Sequence, residues 1–376
     1  MTTVLGPVLP ERVEIVTDAA RLAAIGPAWQ ALWREAGGLV FQSHGWIEAW
    51  WRTAPDQAER GLRIGLLWRG EALAAVMALA THRRRGLVFL EWAANAHSDY
   101  GDILAAPDCP AASLAALWAQ LSAARGFDVA LINRLQPGAR ARNLVDGAGG
   151  VRLVPNHRQE VSHRVSGSTG GAAWFDGQSK KARQNHRRGW KLLEESGEVR
   201  CRLIGADEPL APVLERLGAL KRQWLAAQGH TAPLFDAGAP ALPALVGVLA
   251  ELGLLRLFVL ECAGAIIAVS VNFVQHGTMM AFVTSYDAAF ERASPGTLLM
   301  SEYIKWSFDH GLGTVDFLCG AEAFKTRFAT EAVTLTTLAG AGSLKGRLAL
   351  KADEAQQTLR HWRTRRNAAS PDAAAA

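Results

Sequence analysis

The sequence predicts an α+β protein in which one structural unit occurs twice, each copy a mixed, mostly antiparallel sheet flanked by helices. Two stretches share a strand–turn–strand form: LLWRGEALAAVMALA (66–80) and VLECAGAIIAVSVNF (259–273), with Gly70 matching Gly264 and Ala74 matching Ala268. Each is followed by a third strand, a proline-containing loop, a helix, a glycine turn and another strand. The later pair reads SLAALWAQLSAARGFDVALI and TLLMSEYIKWSFDHGLGTVDFL. A chain of 376 residues also exceeds what one core usually holds.

The elements follow from periodicity and punctuation. Residues 1–12 read as a loose lead-in. Leu22, Ile25, Trp29, Leu32 and Trp33 form one stripe of a helix over 19–35, which Pro27 kinks or splits. FQSHGWIEAWWR (41–52) reads as a second helix, with Trp46 packed in the core. RIGLLW, EALAAVMALAT and GLVFLEWA form a meander, closed first by Arg69-Gly70. A loop, a helix over 111–125 and a strand over 127–133 follow. Residues 135–150 read as a surface connection, 151–165 as a strand, 167–171 as a flexible loop and 178–195 as a basic helix. A strand (199–204) and two helices (209–227 and 241–253) lead to three strands in 255–286. Then come Pro295-Gly296, a helix, a strand at VDFL, another strand at 333–340, a basic helix over 344–366 and a disordered SPDAAAA end.

Composition narrows the class. Hydrophobic residues at 49% and charged residues at 20% are ordinary for a globular protein, and a formal charge of +5 is small for a nucleic-acid binder. Cys109, Cys201, Cys262 and Cys319 are widely spaced, which argues against a zinc site or a disulfide framework and for reduced thiols. The first residues show no basic-then-apolar leader pattern, and the apolar run 257–274 is interrupted at Glu261 and Ala263-Gly264. Both point to a cytoplasmic protein without a membrane span and to a buried sheet.

Four places carry candidate chemistry. Thr297 is expected at the N-cap of the helix after Pro295-Gly296, with Gly311 just past its end. The first amides of such a helix suit a pyrophosphate, and Gly296 permits close approach. The loop His97-Ser98-Asp99-Tyr100 with Asp102 crowds polar groups at a strand end and is a candidate for holding an acceptor. Lys180, Lys181, Arg183, Arg187, Arg188 and Lys191 make a basic helix face suited to phosphates. Arg360, Arg363, Arg365 and Arg366 form a second basic cluster, suited to an anionic membrane surface or a nucleotide.

The order of these pieces resembles the GNAT acyltransferases, in the branch of FemAB-like and CelD/BioF2-like proteins. The matching pieces are FQSHGWIEAWW, the HSDYGDIL loop, KKARQNHRRGWKLLEESG, SPGTLLMSEYIKWSFDHG and VDFLCGAEAFKTRF, spread over roughly 13–345. The resemblance implies tandem GNAT-like domains at 13–150 and 151–343, the second holding the acyl donor, followed by a basic helix and tail at 344–376. It implies acetyl-CoA or another acyl-CoA as co-substrate, without a metal, held by Arg292, Gly296, Thr297 and Lys325. The phosphate loop departs from the usual glycine spacing, and Phe324 precedes Lys325 where relatives often carry tyrosine.

The implied reaction is attack of an amine on a thioester, with Asp316 or Glu322 as base and Tyr286 as proton donor to the thiolate. His97, Asp99, Tyr100, Lys181 and Arg187 are then the acceptor-side candidates. The implied acceptor is an amino sugar or other envelope or exopolysaccharide precursor, free or lipid-linked. Two alternatives remain open at this point: aminoacyl transfer from charged tRNA, and a non-catalytic relative that binds a signalling nucleotide.

Overall fold

The computed structural model describes residues 10–147, 149–320 and 322–368. The first part of the chain runs β1 (Glu11–Val16), α1 (Ala19–Ala24), α2 (Gly26–Ala36), α3 (His44–Thr53), β2 (Arg60–Arg69), β3 (Ala72–Arg84), β4 (Leu87–Trp92), β5 (Leu104–Ala105), α4 (Ala111–Ala123), β6 (Val129–Leu135) and β7 (Val154–Ser166). Next come α5 (Gly171–Asp176), α6 (Lys180–Glu194), β8 (Val199–Leu203), α7 (Leu210–Ala227), α8 (Ala241–Glu251), β9 (Leu255–Cys262), β10 (Ala265–Gln275) and β11 (Thr278–Tyr286). The chain continues through α9 (Pro295–Asp309), β12 (Thr314–Cys319), α10 (Ala323–Phe328), β13 (Glu331–Ala341) and α11 (Leu344–Ala368).

Two compact units result. One holds the chain up to Ile47, Pro55–Gln159 and the chain from Leu335; the other holds Glu48–Ala54 and Glu160–Thr334. In the first unit the strand order is β1-β2-β3-β4-β6-β13, antiparallel except for the parallel pair β4 and β6. In the second the order is β8-β9-β10-β11-β12-β7, antiparallel except for the parallel pair β11 and β12. The two sheets therefore repeat one pattern, with α4 and α9 as the corresponding crossovers.

Turn chemistry fixes the meander of the second sheet. Ala263-Gly264 and His276-Gly277 all have positive φ, the requirement of tight two-residue hairpin turns. Helix α9 lies at the centre of this unit's core: Leu298, Leu299, Tyr303, Ile304 and Phe308 pack with Phe258, Leu260, Met279, Val315 and Phe317. Gly189 of α6 lets that helix close on α9, because a Cβ there would meet the Ala293 carbonyl at 2.6 Å. In the first unit Trp29, Trp46 and Trp118 are fully buried, and the Trp46 indole donates to Ser98 Oγ at 3.1 Å.

Several expectations need correcting. Residues 11 and 12, read as the end of a loose lead-in, begin an edge strand, β1, that runs to Val16 and pairs with β2. Its alternation is masked by charges, and only Val16 is fully buried. The expected break in the helix over 19–35 is present as a split at Ile25, and Pro27 sits in the first turn of α2, where its missing N–H costs nothing. Helix α9 begins before Thr297: its N-cap is Ser294, at φ 55°, with Pro295 in the first turn. The leading nine residues and the SPDAAAA end lie outside the described residues. Among the described residues, no helix is long and apolar enough to cross a membrane.

Candidate active site

Strands β11 and β12 pair over only three residues each, Thr278–Met280 with Thr314–Asp316. Beyond that point they separate, while β11 stays paired with β10 as far as Tyr286. The edge of 281–286 that faces β12 therefore has no strand partner among the described residues. The divergence has a local cause. Leu318 adopts φ 59°, a left-handed conformation unfavourable for a leucine. Asp316 braces this bend: its carboxylate accepts from the Leu318 amide at 2.8 Å, Ser162 Oγ at 2.7 Å and Arg164 Nε at 2.8 Å.

A cavity of about 460 Å³ opens beside the separated strands. Tyr286, Gly296 and Thr297 form one side, and Glu322 and Lys325 another. Lys221, Trp224 and Phe235 add an aromatic wall. Lys325 is nearly buried; it donates to the Cys319 carbonyl and pairs with Glu322 at 3.0 Å, which folds the 319–325 loop on itself. The Lys221 ammonium lies 4.4 Å from the centre of the Trp224 ring. Burial lowers its pKa, Glu322 opposes that shift and Lys325 adds to it. Burial, with the charge of Glu291, raises the pKa of the Tyr286 phenol, so it keeps its proton at neutral pH.

A second cavity, of about 550 Å³, lies at the other flank of the α9 N-terminus. Its wall is cationic: Lys181 and Arg188 from α6, Arg292 before α9, and Arg327 from α10. Ser294 and Thr297 line both cavities. The Trp174 indole N–H is buried in this second wall without a hydrogen-bond partner. Such a donor normally finds an acceptor, so the cavity suits a ligand rich in anionic oxygens. The positive end of the α9 dipole adds to the same field.

Of the sequence candidates, Tyr286, Gly296, Thr297, Glu322 and Lys325 gather at the first cavity, and Lys181, Arg292 and Thr297 at the second. Asp316 lines neither; its side chain is buried against Ser162, Arg164 and the Leu318 amide. Arg187 is exposed on α6 and also lines neither cavity. The Phe324 side chain lies outside the described ones. In the first unit, Tyr100 borders a pocket of about 310 Å³ together with Asp102. The Asp102 carboxylate accepts from the amides of Ile103, Arg140 and Ala141, so it closes the loop rather than facing a ligand. His97 is mostly buried with an unpartnered Nδ1, and burial lowers its pKa. Lys221, Trp224, Trp174 and Arg327 were not read from sequence as site residues. The i, i+3 pair Lys221 and Trp224 looks like any exposed helix face until Phe235 and β11 close around it.

The acetyltransferase (GNAT) domain model matches residues 180–326, the span from α6 into α10 that supplies the first cavity and most of the second. No curated protein matches the chain in sequence. Solved structures match it over nearly its whole length. FemX is 10% identical with a TM-score of 0.57, covering 90% of this chain and 98% of its own. The C-terminal domain of a putative lysylphosphatidylglycerol synthetase from Agrobacterium fabrum is 10% identical with a TM-score of 0.53, covering 89% and 96%. A tandem GNAT protein from the clavulanic acid biosynthesis pathway is 12% identical with a TM-score of 0.50, covering 88% and 99%. At these identities the likeness to solved structures is one of fold: the chain has a FemAB-like, tandem-GNAT fold, and its residues 180–326 match the acetyltransferase (GNAT) domain.

Proposed function

We propose that the second unit moves an acetyl or other acyl group from an acyl-CoA to an amine. The observation that carries this reading is the meeting of two cavities at Ser294 and Thr297, one cationic and one aromatic, where β11 and β12 diverge. The donor's phosphates fit the cationic cavity, against Lys181, Arg188, Arg292 and Arg327. Its amide-bearing arm fits between the strands, along the edge of β11 beyond Met280, which no longer pairs with β12. An N–H of that edge is then in place to polarise the thioester carbonyl. The acceptor enters the aromatic cavity.

The amine must lose its proton to attack. For a lysine-like amine this costs about 4–5 kcal/mol at neutral pH, and a less basic amine costs far less. Glu322 faces the acceptor cavity and can receive that proton, directly or through water. Tyr286 supplies one to the departing thiolate. Asp316 acts as a positioning residue that holds β12 apart from β11. We read the acceptor as an amino sugar or related envelope or exopolysaccharide precursor.

Thermal-shift titration with acetyl-CoA, longer acyl-CoAs and free CoA, followed by thiol release with a panel of amino sugars, tests this reading. Stabilisation by acyl-CoA and amine-dependent thiol release are expected; no stabilisation at millimolar concentration overturns it. A second reading, aminoacyl transfer from charged tRNA, is favoured by Lys180, Arg187 and Lys191, which are exposed on α6 outside the cationic cavity. It predicts tRNA binding that weakens steeply with salt.

A further inference from the structure

We infer that α11 is a membrane-docking helix that seats this protein on an anionic lipid surface. The four most exposed large apolar side chains among the described residues all lie on this helix: Leu344 at 70%, Leu348 at 62%, and Leu359 and Trp362 at 56% each. At about 100° per residue, these four fall within roughly 60° of one another. They form one stripe about 27 Å long at 1.5 Å per residue.

The stripe is turned away from the protein. Gly346, Ala349, Leu350, Asp353 and Gln357 are the buried or partly buried positions of α11, and they centre on the opposite side of the helix, roughly 170° away. Gly346 packs on the Asp128 backbone with no room for a Cβ. Asp353 pairs with Arg158 at 2.6 Å and His157 at 3.4 Å. Ser343 ties the helix start to Asp128 at 2.6 Å. The most exposed apolar side chains of α11 thus lie on the side away from its docked face.

Charge selects the occupant. Residues 344–368 contain Lys345, Arg347, Lys351, Arg360, Arg363, Arg365 and Arg366 against Asp353 and Glu354. Asp353 is already engaged on the docked side. Arg347 and Lys351 flank the stripe on one side and Lys345 on the other. Lys351 falls close to the stripe itself. A dry interface with another protein would bury that charge at a cost, whereas a lipid headgroup layer lets the ammonium reach phosphate while its stem lies on apolar surface. Leucines inserted below the headgroups, a tryptophan at their level and cations beside them are what an interfacial helix requires. A nucleic acid would match the cations but would leave the leucines exposed.

Sedimentation of the full chain with sucrose-loaded vesicles tests this. Binding to vesicles containing phosphatidylglycerol is expected, at least about tenfold stronger than to phosphatidylcholine alone and weakened by salt. Leu348→Glu with Leu359→Glu should reduce binding at least about tenfold while leaving Tm unchanged, because both side chains are exposed. The inference is overturned if the wild-type chain does not sediment with anionic vesicles, or if the double variant binds as well as wild type. It is also overturned if the stripe instead drives a concentration-dependent dimer in light scattering without vesicle binding, which would assign the face to a second copy.

Discussion

The aromatic ring of Tyr286 lies against Gly296: a Cβ built on that glycine would stand 2.9 Å from Tyr286 Cδ1. The end of β11 and the first turn of α9 are thereby fitted to each other. Gly296→Ala should shift the ring slightly and keep the fold. Gly296→Leu should displace the Tyr286 ring and abolish the thermal shift with acyl-CoA while the ligand-free Tm falls by only a few degrees. Differential scanning fluorimetry with and without acetyl-CoA reads both effects.

Tyr286→Phe removes one hydroxyl from the wall of the aromatic cavity. As the proton donor to the leaving thiolate, Tyr286 should contribute about a hundredfold or more to kcat. The expected result is a fall in kcat with KM for acyl-CoA little changed. Because the folded-state pKa is raised, the wild-type rate should hold to higher pH than an ordinary phenol would allow. A steady-state pH profile of both proteins checks this.

Asp316→Ala should act on stability and shape. It leaves Arg164 without its buried partner and the Leu318 amide unsatisfied, at a cost of about 3 kcal/mol or more. Urea unfolding measures that loss. Asp316→Asn retains the shape but removes the ion pair, and should lose less. A base acting on substrate would instead show near-normal stability with kcat abolished in both variants.

Glu302 supplies a pH signature. Burial pushes its carboxyl up, but hydrogen bonds from His186 and Lys305 outweigh it and hold the pKa below the usual glutamate value. Its stabilising contribution is therefore complete above the unfolded glutamate pKa and is lost as pH falls through the lower folded-state pKa. Glu302→Gln should be less stable than wild type at neutral pH, and the gap should narrow on acidification. Melting curves from neutral pH to about pH 3 record the convergence.

Much of the fold was legible in sequence because it rests on local signals. Ala263-Gly264 and His276-Gly277 mark the hairpins, and the match of 66–80 with 259–273 exposes the repeated unit. The place of β13 beside β6 was not legible, since its sequence carries no signal of which sheet it completes. At the site, sequence order brought out Tyr286, Gly296, Thr297, Glu322 and Lys325 because they lie on two neighbouring segments. Lys221, Trp174 and Arg327 arrive from α7, α5 and α10, and only tertiary packing brings them there. The buried hydrogen bonds of Asp316 were equally hidden: a strand aspartate reads alike whether it faces a cavity or braces a bend.

Hydrogen–deuterium exchange on the full chain with and without acetyl-CoA tests the central claim most directly, because it reports on the amides said to hold the donor. Protection is expected along 281–286 and at 294–298. No protection in either segment, with saturating acetyl-CoA present, would contradict the account.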